Sequence, residues 1–312
     1  MIDWQRPLGG TGLDVSAVCA GTALLASMPK AFGYEVPEER AIATVVRVLA
    51  GPITFLDTSN GYGDGESERR IGKALARAGG VPEGFVLATK VDPAGADFSG
   101  ARVRRSLEES LERLGLSRVP LLYLHDPERI SFDDATARGG PVEELVRIRD
   151  EGLAEHIGVA GGPVELMERF VRTGEFEVLI THNRWTLLDR SAGPLLDAAA
   201  ERGVAVVNAA CFGGGILAKG SAASDRYAYR TAHPEVLDAV RGMEAACARH
   251  GVPLPAAALQ FSLRDPRIAS TVVGFSRPER VDESVAHADT EIPEDLWPEL
   301  DALLPSSERW LH

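Results

Sequence analysis

The chain has 312 residues, of which 45% are hydrophobic, so it can bury a large core and is typical of a globular protein. Its 33 basic and 46 acidic residues give a formal net charge of −13, which disfavours nucleic acid or an anionic membrane surface as the main partner. The three cysteines (Cys19, Cys211 and Cys247) show no CxxC spacing, which argues against a disulfide framework and a structural zinc site.

The amino-terminal segment predicts a hairpin ahead of the first core strand. Residues 6–20 combine a glycine-punctuated turn with short β-prone pieces, and the strand itself is predicted over 15–20. This hairpin would act as a lid on one end of the fold. The start of the chain lacks the apolar core of a signal peptide, and no run approaches the ~20 apolar residues of a membrane helix. We therefore expect no membrane segment and a cytoplasmic location.

The rest of the chain alternates between short apolar runs and amphipathic segments. The predicted strands are 15–20, 53–56, 85–90, 121–125, 156–159, 178–181, 205–208 and 271–273. The predicted helices are 38–50, 66–75, 100–114, 142–151, 164–172, 192–202, 234–250, 255–263 and 278–286. Eight buried strands alternating with helices favour a parallel (β/α)8 TIM barrel, and a doubly wound open sheet is the alternative. We expect one domain over residues 1–312, with extra helices and loops toward the carboxyl end.

Four polar residues stand at or just beyond predicted strand ends. Asp57 ends the apolar run ITFL, Tyr62 follows in a glycine-rich loop, Lys90 ends FVLATK and His125 ends LLYLH. Each of the four alone has an ordinary explanation, such as a helix cap, loop packing, a solvated strand end or a core histidine. In a TIM barrel, however, the active site is built at the carboxyl ends of the strands. A lysine ending a buried strand also needs a carboxylate, and Asp57 is the nearest candidate by topology.

The segment FLDTSNGYGDGESERRIGKAL resembles the strongest signature of the aldo-keto reductase family. LATK, SLEESLERLGL leading into LLYLHDPE, and VVGFSRPERVDES also resemble family segments, so the resemblance covers nearly the whole chain. It implies a (β/α)8 barrel that reduces carbonyls or oxidises alcohols of small molecules with a nicotinamide cofactor. It also implies a catalytic tetrad, carried here by Asp57, Tyr62, Lys90 and His125.

The chemistry of hydride transfer explains these residue types. Hydride addition to a carbonyl leaves negative charge on oxygen, so a proton donor must lie within about 3 Å of it. Tyr62 would be that donor, and the ammonium of Lys90 would lower the pKa of the phenol toward neutrality. Asp57 would hold the lysine, and His125 would orient the carbonyl by a hydrogen bond. This chemistry requires no metal, and we expect no metal site because the sequence offers no HExxH motif.

The resemblance further implies cofactor contacts, which fall at Thr22, Asp57, Asn183, Phe212, Gly213, Leu217, Gly274, Ser276, Arg280, Glu283 and Ser284. Asn183 would meet the nicotinamide carboxamide, with an ordinary turn residue as the alternative. The glycines of CFGGGIL (211–217) would let backbone amides approach the pyrophosphate. The cofactor is NAD or NADP. Because acids accompany the arginines in SRPERVDES, and Gly274 stands where many NADP-preferring relatives have a lysine, we expect NAD to be accepted at least as well.

The chain also departs from the family pattern. Ala160 and Gly161 replace a common Ser-Asn pair, and Ala209 stands where an aromatic often stacks on nicotinamide, with Phe212 as the nearest ring. Together with VNAACFGGGIL and HDPE, these features resemble the branch that contains L-fucose, D-threo-aldose and pyridoxal dehydrogenases, which implies oxidation as the physiological direction. The alternative function is a regulatory subunit that binds the cofactor without turnover, like the barrel subunits of potassium channels.

The substrate and the oligomeric state cannot be predicted from the sequence. Substrate identity depends on the loops at 30–36, 219–234 and 293–312. Their aromatics either line the pocket or only pack, and they are Phe32, Tyr34, Tyr227, Tyr229 and Trp310.

Overall fold

A computed structural model describes residues 2–228 and 230–311. Its strands are β1 (Gln5–Pro7), β2 (Asp14–Ser16), β3 (Val18–Gly21), β4 (Phe55–Asp57), β5 (Val86–Val91), β6 (Val119–His125), β7 (Ala154–Gly161), β8 (Val178–His182), β9 (Ala205–Ala209), β10 (Arg226–Tyr227), β11 (Arg230–Thr231) and β12 (Ile268–Gly274). Strands β3 to β9 and β12 form a closed parallel barrel, in which β12 pairs with both β3 and β9. The predicted (β/α)8 barrel is therefore confirmed.

Helices connect the barrel strands and cover the outside of the barrel. They are α1 (Pro29–Phe32), α2 (Glu38–Leu49), α3 (Glu66–Ala78), α4 (Gly100–Leu114), α5 (Phe132–Thr136), α6 (Pro141–Asp150), α7 (Val164–Thr173), α8 (Gly193–Glu201), α9 (Ile216–Lys219), α10 (Pro234–Arg249), α11 (Leu254–Leu263), α12 (Pro278–Asp289) and α13 (Leu296–Asp301). Within the described ranges, no helix has the length and apolar content needed to cross a membrane.

Helix α4 shows why these segments fold as the sequence predicts. The Ser99 hydroxyl caps its amino end by accepting from Arg102 N at 3.3 Å, and Gly115 ends it in the left-handed conformation at φ 70°. Val103 and Leu107 are buried on its inner face. Similar apolar faces on the other helices pack against the outward side chains of the strands, which forms the larger part of the core.

A second apolar cluster fills the inside of the barrel. It includes Leu8 from the β1–β2 connection, together with interior residues near the amino ends of several strands, among them Val86, Leu121 and Val178. The predicted hairpin is confirmed as antiparallel β1 and β2, and Leu8 plugs the amino-terminal end of the barrel. Any cavity along the barrel axis must therefore open at the carboxyl-terminal end.

The predicted strand 15–20 is wrong as one element. The chain divides it between the hairpin strand β2 and the barrel strand β3. The reason lies in Ser16, whose hydroxyl donates to Val18 O at 2.6 Å and accepts from Thr54 N at 2.9 Å. A side chain that takes over backbone partners in this way interrupts a strand ladder. The same contact delays β4 until Phe55, two residues later than the predicted start.

Candidate active site

The carboxyl-terminal end of the barrel opens into a cavity of about 680 Å³. Alternate residues of a strand face the same side, so an interior apolar residue is followed two positions later by another interior residue. In four strands that second residue is polar and lines the cavity: the pairs are Phe55 and Asp57, Ala88 and Lys90, Tyr123 and His125, and Ile180 and His182. The packed interior of the barrel thus ends in a polar floor.

Lys90 connects three groups on this floor. Its Nζ donates to Asp57 Oδ2 at 2.6 Å and to Thr58 O at 2.7 Å, and it lies 3.3 Å from the phenolic oxygen of Tyr62. The Lys90 and Asp57 side chains are only 3% and 6% exposed. The other carboxylate oxygen of Asp57 is buried, with no hydrogen-bond partner in the described part of the chain. A buried pair of this kind holds the ammonium in one position beside the phenol.

Burial and charge act in opposite directions on these groups. Burial lowers the pKa of Lys90, but the Asp57 carboxylate and Tyr62 raise it more, so the net pKa lies above the usual value for lysine. Burial raises the pKa of Tyr62 above its usual value, and the nearby Lys90 charge only partly opposes this. The lysine therefore stays charged. The pKa of the Tyr62 phenol, however, is not lowered toward neutral pH in the free site, contrary to the expectation from the sequence.

A network of polar side chains connects the loop that carries Tyr62 to helix α4. Asn60 is buried and donates to Ser106 O at 3.0 Å, while its own carbonyl and amide oxygens accept from Arg113 and Arg102 at 3.2 and 3.3 Å. Arg102 forms two parallel hydrogen bonds with Glu109, at 2.9 and 3.0 Å. The network fixes the backbone two residues before Tyr62, so it positions the phenol from helix α4.

His125 has a buried carboxylate behind it that the sequence analysis missed. Its Nδ1 lies 2.8 Å from Asp92 Oδ1 and 3.0 Å from the hydroxyl of Ser59. Gly61 N also donates to Asp92, at 2.7 Å, and a Cβ on Gly61 would lie 2.9 Å from the carboxyl carbon. Only glycine allows the backbone to come this close. The rings of His125 and Tyr62 form a T-shaped contact, with centroids 5.7 Å apart.

At the end of β8, the residue that faces the cavity is His182 and not its predicted neighbour Asn183. Asn183 has φ 60°, its Nδ2 contacts His182 Nδ1 at 3.1 Å, and its Oδ1 is buried without a partner in the described residues. Burial and the charge of Arg184 lower the pKa of His182 to about 4, so the ring is neutral at physiological pH. The polar group that faces the cavity here is the imidazole.

The other predicted cofactor residues divide into two groups. Those that line the cavity are Thr22, Asp57, Phe212, Gly274, Ser276, Arg280, Glu283 and Ser284. Gly213 and Leu217 do not: Leu217 is fully buried in a core cluster, and Gly213 packs against the ring of Tyr227. Their neighbours Gly214 and Gly215 line the cavity instead, at φ 77° and 110°, which only glycine adopts readily.

Charges nearly cancel at the far end of the cavity. Arg277 pairs with Glu283 at 2.9 Å, and Arg280 pairs with the other oxygen of the same carboxylate at 3.1 Å. Arg277 also lies 3.6 Å from Glu279. Two arginines therefore stand beside two acids, Glu279 and Glu283, and their formal charges cancel, while only Arg280 of the two arginines lines the cavity.

Another part of the cavity wall carries aromatic and polar side chains. Phe32 and Tyr34 line it, and so does Lys30 from the same loop. Tyr227 is buried, and its hydroxyl lies 3.3 Å from Asn183 O. Neither Tyr227 nor Trp310 lines the cavity. Tyr229 lies outside the described residues. Ala160, Gly161 and Ala209 line the cavity with small side chains, as the departures from the family pattern indicate.

Three possible metal ligands meet beside His125. Asp126, Glu128 and His182 offer atoms that all lie within 4.8 Å of one another. Glu128 already accepts from Gly162 N at 3.3 Å. Such a cluster alone identifies no ion, and the expectation of no metal stays a prediction.

Comparison with known proteins identifies the family. The aldo/keto reductase family model matches residues 17–305. A D-threo-aldose 1-dehydrogenase from Pseudomonas sp. is 34% identical over 96% of this chain and 97% of its own length. An L-galactose dehydrogenase from Arabidopsis thaliana is 36% identical (90% and 86%), and a pyridoxal 4-dehydrogenase from Microbacterium luteolum is 29% identical (94% and 95%).

The fold has a counterpart among solved structures. The holo form of an aldo-keto reductase from Bacillus halodurans superposes with a TM-score of 0.81 at 21% identity, over 98% of this chain and 97% of that one. The similarity extends across the whole barrel.

Proposed function

Because the chain belongs to the aldo-keto reductase family, as its sequence resemblance predicts, we propose that it transfers a hydride between a nicotinamide cofactor and the carbonyl or alcohol carbon of a small substrate. The observation that carries this proposal is the 3.3 Å approach of Lys90 Nζ to the Tyr62 hydroxyl on the cavity floor. A phenol beside a fixed ammonium is a group that can give and take a proton.

The cavity residues fit a dinucleotide. The cavity volume of about 680 Å³ lies in the range of cofactor-binding sites. Gly214 and Gly215 expose backbone without a Cβ, and Lys219 adds a positive charge on the same wall, which suits a pyrophosphate. Ser276 and Ser284 would hold the adenosine end, and His182 would contact the carboxamide in the role expected of Asn183. The bound cofactor supplies or accepts the hydride.

Tyr62 moves the proton. In reduction, its hydroxyl proton passes to the substrate oxygen as the carbonyl carbon gains the hydride, and Lys90 stabilises the phenolate that remains. In oxidation, the phenolate takes the proton of the alcohol. Asp57 contributes by keeping Lys90 charged and fixed, since its carboxylate raises the pKa of that ammonium. His125 would orient the substrate oxygen.

We propose an aldose or a similar small polyhydroxylated aldehyde as the substrate and NAD as a cofactor accepted at least as well as NADP. The relatives named above include two sugar dehydrogenases. Asp126 offers a hydrogen-bonding group near the proposed substrate position, and Tyr34 offers a ring. The pairing of Arg277 and Arg280 with the two acids Glu279 and Glu283 leaves little charge for a 2′-phosphate. The cytoplasmic location and the single-domain organisation stay predictions.

A steady-state assay tests the function. The purified protein is supplied with NAD or NADP and a panel of aldoses, or with the reduced cofactors and aldehydes, while cofactor fluorescence measures binding. We expect turnover with at least one aldose, and Tyr62→Phe is the matched control that retains the cavity. Cofactor binding without turnover on the whole panel would favour the regulatory-subunit alternative.

A further inference from the structure

The proposed chemistry does not use the buried carboxylate behind His125. Asp92 is 8% exposed and accepts three hydrogen bonds, from His125 Nδ1 at 2.8 Å, Gly61 N at 2.7 Å and the hydroxyl of Ser59. Burial raises the pKa of Asp92, but the His125 charge and these donors lower it more, to about 2. Asp92 is therefore an ionised group that can only accept hydrogen bonds at physiological pH.

These contacts determine which ring nitrogen of His125 carries a hydrogen. The carboxylate of Asp92 has no hydrogen to donate, and the Ser59 hydroxyl gives its own to Asp92. Both groups facing Nδ1 therefore act as acceptors toward it, at 2.8 and 3.0 Å. Nδ1 must then be the protonated nitrogen, which leaves Nε2 on the opposite side of the ring as the atom available to a substrate.

The charged surroundings of His125 favour the imidazolium. Asp92 faces Nδ1, and Asp126 Oδ1 lies 3.6 Å from Nε2, while Lys90, Glu128, the neutral His182 and Tyr62 are also near the ring. Burial lowers the pKa of His125, but Asp92, and to a lesser degree Asp126, raise it to a net value above the usual one, with Lys90 opposing.

We propose that Asp92 is a positioning residue that fixes the tautomer and stabilises the charged form of His125, an inference that rests on the proposed oxidoreductase function. The charged ring donates from Nε2 to the carbonyl oxygen during reduction and keeps its proton, since Tyr62 supplies the one transferred. In oxidation the same charged ring donates from Nε2 to the alcohol oxygen, while the hydrogen of the alcohol passes to the Tyr62 phenolate.

The first experiment reads His125 directly. The protein is labelled with ¹⁵N-histidine, the His125 signals are assigned by their loss in His125→Gln, and the ring nitrogens are titrated in wild type, Asp92→Asn and Asp97→Asn. We expect a protonated Nδ1 and a bare Nε2 in the neutral wild-type ring. Asp92→Asn should lower the pKa of His125 by about one unit or more. Asp97→Asn removes the same charge from an exposed position of the same loop and should leave the titration unchanged.

The second experiment measures kinetics on the same three proteins. Asp92→Asn should lower kcat for carbonyl reduction near neutral pH by about ten-fold or more and shift the pH profile downward, with an unchanged cofactor KM. A role limited to folding would lower the amount of active protein without moving the profile.

The outcomes separate this inference from the proposed function. Turnover in wild type combined with a His125 pKa that is the same in Asp92→Asn would overturn the role of Asp92 alone. A protonated Nε2 and bare Nδ1 in neutral wild-type His125 would overturn it even if Asp92→Asn failed to fold. A wild-type protein that binds cofactor but turns over no substrate would overturn the oxidoreductase function, and the catalytic role of Asp92 with it.

Discussion

The ammonium nitrogen of Lys90 lies 3.3 Å from the phenolic oxygen of Tyr62. The same nitrogen is fixed by Asp57 at 2.6 Å, so the charge cannot move away when the phenol changes its protonation state. Burial makes the phenol a weaker acid, and Lys90 is the first group that opposes this effect. Two opposing effects therefore set the pKa of Tyr62: desolvation raises it, and the fixed charge of Lys90 lowers it.

The first prediction concerns Tyr62 as the proton donor. Tyr62→Phe keeps the ring and removes the hydroxyl, so we expect turnover to fall at least ~100-fold, the lower end of what acid–base catalysis contributes. Cofactor affinity, measured by fluorescence titration, should stay close to wild type.

Tyr123→Phe is the matched control for this variant. Tyr123 is a fully buried phenol of the barrel interior whose hydroxyl has no hydrogen-bond partner among the described residues. Its removal should leave turnover nearly unchanged. If Tyr62→Phe kept most of its activity, another group would have to be the donor.

The second prediction concerns the charge beside the phenol. Lys90→Met removes the ammonium that stabilises the phenolate, so the pKa of Tyr62 should rise further. Alcohol oxidation needs the phenolate, and it should become efficient only at a higher pH. The measurement is a pH–rate profile of oxidation.

A double variant provides the control here, because Lys90→Met alone leaves Asp57 buried without its partner. Asp57→Asn combined with Lys90→Met removes that unpaired charge and should recover stability while the pH shift remains. An unmoved midpoint in both folded variants would mean that another group sets the acidity of the phenol.

Much of the polar floor of the cavity could be predicted because its residues follow the two-residue period of the strands. Asp57, Lys90 and His125 each follow an interior apolar residue by two positions, and short apolar runs revealed those strands. The same count would have found His182, which follows the interior residue Ile180 by two. Asn183, one position later, leaves the strand at φ 60° and its side chain turns away from the cavity.

Other parts of the site depend on contacts between loops, which no local period encodes. Asp92 meets His125 only because the β5–α4 connection passes behind β6, with 33 residues separating the two. Ser16 interrupts the first strand through a hydrogen bond to Thr54, which stands 38 residues away. One signal pointed toward Asp92, since a buried histidine requires a partner for its second ring nitrogen.

The third prediction concerns the network below the Tyr62 loop. The hydrogen bonds from Arg102 lower the pKa of Glu109 to about 2, below its unfolded value of ~4.3. A depressed carboxyl pKa stabilises the folded protein above the unfolded pKa, and this contribution is lost as the pH falls toward the folded value. Glu109→Gln should therefore lower the thermal midpoint by about 1 to 2 °C at pH 7, after allowance for solvent screening, and by clearly less at pH 3.

Differential scanning calorimetry at the two pH values checks this third prediction. Glu108→Gln is the control, because Glu108 is an exposed neighbour on the same helix and lies 3.5 Å from the exposed Arg105. It should change the midpoint little at either pH. An equal loss for Glu109→Gln at pH 7 and pH 3 would contradict an electrostatic contribution from this carboxylate.

The last prediction is that NAD is used at least as well as NADP. A 2′-phosphate carries nearly two negative charges and calls for free basic groups, yet Arg277 and Arg280 both pair with Glu283, and Gly274 adds no charge. Glu283→Gln removes the acid that Arg277 and Arg280 share, so it should shift the ratio of kcat/KM values toward NADP by about ten-fold, or ~1.4 kcal/mol. Glu279→Gln is the control, since that exposed acid lies 3.6 Å from Arg277 and leaves the central pairings intact. The measurement is kcat/KM for both cofactors with one substrate. A wild-type preference for NADP of ten-fold or more would show that the two arginines act on the phosphate in spite of their shared acid.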